Sequence, residues 1–95
     1  MALIVQKYGG SSLASPEKIK AIAERIVERF DSGDKLVIVV SATGDTTDRL
    51  RSKALDLSVN PDHRELDMLV SIGERESISL MSIAINSIRP GLAQS

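Results

Sequence analysis

Cysteine is absent from this chain of 95 residues, so no disulfide staples the fold and no thiol serves as nucleophile or metal ligand. That fits a reducing compartment such as the cytosol. Tryptophan is also absent, and Tyr8 and Phe30 are the only aromatic residues, which leaves little for stacking on nucleic-acid bases. Neither sign of charge dominates: 12 Lys and Arg face 13 Asp and Glu, for a net charge of -1. A protein that grips DNA or RNA needs a basic face to neutralise phosphates, and this balance argues against one. The single histidine, His63, sits beside Asp62 in a polar stretch. One loop histidine supports no Ser-His-Asp arrangement, and no Cys or His cluster offers a transition-metal site.

Long hydrophobic runs are missing too. The opening run Met1–Val5 has no basic segment before it, unlike a secretory signal. The stretch from Ile78 to Ile88 is broken by Ser79, Ser82, Asn86 and Ser87 and falls short of the roughly 20 residues that span a bilayer. The expectation is a soluble, cytoplasmic protein with neither membrane nor nucleic acid as partner.

What is present is ordinary globular composition, 42% apolar and 26% charged, in a length that suits one small domain or a piece of a larger one. Leu3-Ile4-Val5 reads as a buried strand, predicted over Leu3–Lys7, ending at the turn Gly9-Gly10. Ser15-Pro16 is a helix start, with Ser as N-cap, Pro at the first helical position and Glu17 in the first turn. Ile19, Ile22, Ala23, Ile26, Val27 and Phe30 then form one apolar stripe, which predicts a helix over Pro16–Phe30. Leu36–Val40 is five aliphatics in a row, the pattern of a strand covered on both faces. Strand, helix, strand with a crossover of this length implies parallel pairing.

Beyond it, Ser41–Asp48 reads as a polar loop, and Leu50, Ala54 and Leu57 mark a helix that Asn60-Pro61-Asp62 breaks. Arg64–Ser71 reads as another helix, interrupted or kinked at Gly73, because one helix from Arg64 to Ile88 would be long for a globular domain. Ile78, Met81, Ile85 and Ile88 line a further helical stripe, widened by Leu80 and Ala84 and ended by Arg89-Pro90-Gly91. Leu92–Ser95 is the start of a possible third strand. The expected core is Val5, Ile22, Ile26, Val27, Ile38, Val39, Leu69, Met81 and Ile85. Two buried parallel strands make a poor sheet alone, so the chain reads as the first part of a larger α/β domain.

In open α/β sheets ligands bind beyond the carboxyl ends of the strands. Two loops emerge there: Lys7-Tyr8-Gly9-Gly10-Ser11-Ser12 and Ser41–Asp48. Paired glycines admit a ligand close to backbone N–H groups, serines add donors, and Lys7 adds a point charge suited to phosphate. The same pair of glycines is also an ordinary turn, and a lone lysine ordinarily faces solvent. G-x-x-x-x-G-K-[ST] and G-x-G-x-x-G are both absent, which excludes a conventional P-loop or dinucleotide fingerprint. In the second loop, hydroxyls and carboxylates suit a polar small molecule or a magnesium-bound phosphate. The competing and stronger reading is a helix cap at Thr46 or Thr47. Glu74, directly after Gly73, is the acidic residue best placed to face a site, against the usual reading of a solvated helix face. No residues are assigned to a metal.

Taken together, these segments resemble the opening of the aspartate kinases, within the amino-acid kinase superfamily. Lys7–Ser12 is similar to the family's K-[FY]-G-G-[ST]-S, Val39–Asp48 to V-V-S-A-x-G-x-T-[TN], and Arg64–Arg75 to R-E-x-D-x-L-x-[ST]-x-G-E. Three motifs in order cover nearly the whole chain. The resemblance implies a three-layer α/β/α fold with a mainly parallel sheet, of which residues 1–95 would be the N-terminal portion. It implies transfer of the γ-phosphoryl group of ATP, with magnesium, to the β-carboxylate of L-aspartate, the entry to lysine, threonine and methionine synthesis. By position, Lys7, Tyr8, Gly9, Gly10 and Ser11 would hold the nucleotide phosphates, with Lys7 catalytic. Ser41 and Thr47 would line the aspartate pocket, and Glu74 would recognise the amino group. The family's later kinase half and regulatory domains have no counterpart here. The chain alone is therefore expected to be inactive, and to oligomerise or associate with the rest of a kinase. The alternative is a non-catalytic fragment or phosphate-binding module.

Overall fold

The computed structural model describes residues 2–94. Strand β1 (Leu3–Tyr8) is followed by a short 3-10 turn (Gly10–Leu13), helix α1 (Pro16–Asp31), strand β2 (Lys35–Val40), helix α2 (Gly44–Leu57) and helix α3 (His63–Ile88). The strands pair in parallel, from Leu3 against Lys35 to Tyr8 against Val40. The α/β class, the parallel pairing and the crossover helix are as the sequence predicts, with element ends displaced by a residue.

Helix α1 starts where its signals lie. Ser15 Oγ accepts from the Lys18 N–H, and Pro16 opens the helix. Its stripe Ile19, Ile22, Ala23, Ile26 and Val27 is buried, but Phe30 at the last turn is 42% exposed. The stripe packs against Met81 and Ile85 of α3 and against Tyr8, Leu36, Ile38 and Val40 on the sheet. Both helices therefore cover the same sheet face.

The other face has no cover among the described residues. Burial alternates along both strands, and Leu3, Val5, Val37 and Val39 are exposed. Val5, at 65%, and Val39 are thus not core in these residues, and β2 is not covered on both faces. The described residues form two of the three expected layers. Ile38 and Leu69 are half-buried, whereas Ile22, Ile26, Val27, Met81 and Ile85 are core as expected.

Three further expectations need correction. First, α2 begins inside the predicted loop, at Gly44, because Thr43 caps it: its hydroxyl accepts from the Thr46 N–H, so neither Thr46 nor Thr47 is the cap. Second, α3 runs unbroken through Gly73 for 26 residues, about 39 Å at helical rise. Its buried positions are Gly73, Ser77, Met81 and Ile85, spaced by four on a single ridge. Gly73 marks a close approach, not a break. A Cβ there would lie 2.9 Å from Ala42 Cβ and 3.1 Å from Thr46 Cγ2. A glycine in mid-helix costs about 1 kcal/mol relative to alanine, and here that cost secures contact with the β2–α2 turn. Third, residues 92–94 form no strand. Asn86 holds the backbone of Ala93 at both its N–H and its carbonyl, at 2.8 and 3.3 Å, and Ser95 lies outside the described residues.

Candidate functional site at the carboxyl edge of the sheet

Parallel pairing brings the ends of β1 and β2 out at one edge. The Ser41 N–H donates to the Tyr8 carbonyl at 3.0 Å and so extends the ladder by one rung. Immediately beyond, Gly9 passes against Ser41 so closely that a Cβ would sit 2.0 Å from Ser41 Oγ. Gly9 is extended, at φ -175, a conformation open to any residue. Crowding by Ser41, whose Cβ would also lie 3.3 Å away, favours the glycine here, not backbone geometry. Gly10 is the opposite case: its φ of +57 is left-handed, with open space around the missing side chain.

From Gly10 the chain enters its four-residue 3-10 turn. The Ser12 N–H donates to Gly9 O and the Ala14 N–H to Ser11 O, while buried Leu13 anchors the turn to the core. Lys18 Nζ donates to Ser11 O at 3.1 Å. The N–H groups of Gly10 and Ser11 precede the first bond of the turn and have no partner within it. Ser11 and Ser12 are exposed.

Lys7 and Tyr8 point to opposite faces, as neighbours on a strand must. Lys7 is exposed on the bare face with Val5. Tyr8 is half-buried on the helix side, where its hydroxyl donates to Gln6 Oε1. Tyr8 thus packs the core with its ring and reaches the edge only through its backbone. Among the described residues neither Lys7 nor Glu74 forms an ion pair.

Ser41, half-buried, stands at the centre of the edge, with Gly9 on one side. Ala42 follows and meets α3 at Gly73. Thr43 and Thr46 share a hydroxyl bond of 2.8 Å, and the Thr47 N–H donates to Thr43 O. Thr47 is half-buried in the first turn of α2, and Glu74 is exposed one residue after the contact point on α3. The structure therefore gathers the Gly9–Ser11 turn, Ser41 and the start of α2 at one edge, and brings the helix that carries Glu74 against them. Gly73 and Ala42 are the residues that sequence reasoning missed. The signal was available in the four-residue spacing of Gly73, Ser77, Met81 and Ile85.

The chemistry of this edge is donor-rich: backbone N–H groups, hydroxyls and the ammonium groups of Lys7 and Lys18, with Glu74 on the helix packed against it. Among the described residues no three His, Cys, Asp or Glu side chains gather to hold a metal ion. No helix among them is long and apolar enough to cross a membrane.

Residues 2–94 match the model of the amino acid kinase family. The chain is 54% identical over 88 residues to an aspartokinase of Mycolicibacterium smegmatis, covering 93% of the chain and 21% of that protein. It is 52% identical, with the same coverage, to an aspartokinase of Corynebacterium glutamicum. A crystal structure of aspartate kinase from Synechocystis superposes with a TM-score of 0.88 at 49% identity, over 92% of this chain and 15% of that one. The chain thus spans about a fifth of the length of the curated relatives it matches. With a match across essentially its whole length, this chain belongs to the amino acid kinase family.

Proposed function

We propose that these 95 residues are the N-terminal portion of an aspartate kinase, which transfers the γ-phosphoryl group of ATP to the β-carboxylate of L-aspartate. The observation that carries this reading is the junction of Gly9 with Ser41, because it sets the phosphate motif directly against the acceptor motif. Identity of 45–54% to aspartokinases over at least 90% of the chain supports it.

The reaction asks for charge control more than for a base. An aspartate carboxyl group, with an ordinary pKa near 4, is already ionised at neutral pH. One carboxylate oxygen forms a bond to the γ-phosphorus while the bond to the β–γ bridging oxygen breaks, and ADP leaves with that electron pair. No proton has to be removed, so a site with one exposed histidine elsewhere meets the need. An anion attacking an anion requires neutralisation, and Lys7 supplies it with the N–H groups of Gly10 and Ser11. Magnesium would arrive with the nucleotide and supply charge neutralisation at its phosphates; among the described residues no acidic cluster gathers to hold it. Ser41 and Thr47 would donate to the aspartate carboxylates, and Glu74 would accept from its amino group.

This reading places the protein in the cytoplasm, on the route to lysine, threonine and methionine. It also gives the bare sheet face a partner, the remainder of the kinase. The 95 residues alone hold part of the site and should release no ADP with aspartate.

The test is a chimera in which this segment replaces the matching 88 residues of the Mycolicibacterium smegmatis aspartokinase. ADP release dependent on aspartate, at about 1 s⁻¹ or faster, is expected. Glu74→Gln in the chimera should raise the aspartate KM about ten- to a hundredfold, the worth of one charge-assisted hydrogen bond, and leave the ATP KM in place. A folded chimera that turns over ATP with no dependence on aspartate would overturn the proposal.

A further inference from the structure

Gly73 sits in the middle of the longest helix, where only proline is a poorer choice. It is buried, and the β2–α2 turn fills the space its missing side chain leaves. The two neighbours that a methyl group would meet are both held. Ala42 Cβ is rigid with its own backbone, one residue after Ser41, which is tied to Tyr8 O. Thr46 is tied by its hydroxyl to Thr43. Gly10, Gly33 and Gly91 differ: each has positive φ and nothing within 4 Å of a built Cβ, so each serves backbone conformation. Gly9 and Gly73 serve distance instead. They close on consecutive residues, Ser41 and Ala42, from the strand side and the helix side.

We propose that Gly73 is a positioning residue for the amino-acid acceptor. Its lack of a side chain lets α3 lie against the turn, and so fixes Glu74, the next residue, at the separation from Ser41 and Thr47 that the acceptor spans. This rests on the aspartate-kinase reading of the site. An added methyl group at position 73 displaces helix from turn and moves Glu74 relative to its partners. The phosphate motif lies on the far side of Ser41 and is untouched.

A size swap tests this: Gly73→Ala, Ala42→Gly and the double variant, each in the chimera and in the 95-residue chain. Gly73→Ala should raise the aspartate KM about tenfold or more, with the ATP KM within about twofold. Adding Ala42→Gly removes the nearer and less yielding of the two obstructing atoms and should bring the aspartate KM back to within about threefold of the parent. In the 95-residue chain, Gly73→Ala should lower the melting temperature by about 5 °C. In the Ala42→Gly background the same change should be neutral or stabilising, since helix propensity then opposes only the milder contact with Thr46 Cγ2. Unchanged aspartate KM in Gly73→Ala, or loss that Ala42→Gly does not repair, overturns the proposal. An inactive parent chimera instead overturns the kinase reading, and the acceptor role with it, while the melting-temperature pair still reports whether Gly73 spaces the turn.

Discussion

On one face of the β1–β2 ribbon, Tyr8, Leu36, Ile38 and Val40 lie under α1 and α3. On the other, Leu3, Val5, Val37 and Val39 are as aliphatic and stand bare. Composition does not distinguish the two faces; only the placement of the helices does. Parallel sheets are ordinarily covered on both sides, so strand residues this apolar on the open face match a cover that the described residues do not include. Lys7 and Lys35 are the cations on that same open face, and Lys7 is the one at the carboxyl end of its strand. The covered face thus serves stability within these residues, whereas association and chemistry belong to the open face under the function proposed above.

The strongest way to break this contrast is to substitute one residue on each side of it. Ile22→Ala, under the covered face, should cost about 2–5 kcal/mol in denaturant unfolding, most of what a chain this small has. Val37→Thr, on the open face, should stay within about 0.5 kcal/mol and reduce self-association in sedimentation velocity. Equal losses at both positions would erase the difference between the faces. Lys7→Ala sharpens it from the chemical side. In the chimera it should lower kcat about a hundredfold, roughly 3 kcal/mol of transition-state stabilisation, with melting temperature and aspartate KM little changed. Unaltered turnover would remove Lys7 from the mechanism. A modest loss belongs to the turn beside the site: Thr43→Ala should cost about 1 kcal/mol in denaturant unfolding, as loss of a helix cap does. No loss would return the capping role to Thr46 or Thr47.

Local signals were the legible ones. Ser15, Pro16 and a six-residue apolar stripe specify α1 without reference to anything distant, and five of the six are buried. The parallel pairing followed from a crossover too long for a hairpin. What misled was any feature whose cause lies across the fold. Gly73 reads as a helix break in one dimension because the atom that requires it, Ala42 Cβ, is 31 residues away in sequence. Val39 reads as core because five aliphatics carry no sign of which face a helix will cover. Thr43, Thr46 and Thr47 are all competent caps by residue type, and the choice depends on where the strand lets the helix begin. In the candidate site, the two glycine-bearing loops were legible as neighbours, but the contact of Gly9 with Ser41 was not, since both residues are small for the sake of each other.

Asp34 lies just before β2, and its carboxylate accepts from the Ala2 N–H and from Arg29 Nε, while the Lys35 N–H donates to Ala2 O. These bonds join segments 32 residues apart, and closing such a loop costs about 3 kcal/mol of chain entropy. Helix α1 occupies sixteen of the intervening residues, and a helix forms within about a microsecond, well before distant strands meet. The order of assembly follows: helix first, strand pairing on that template, and the Asp34 clasp last. Asp34→Ala should therefore speed unfolding and leave the folding rate unchanged in stopped-flow kinetics. A slowed folding limb would place the clasp ahead of the helix.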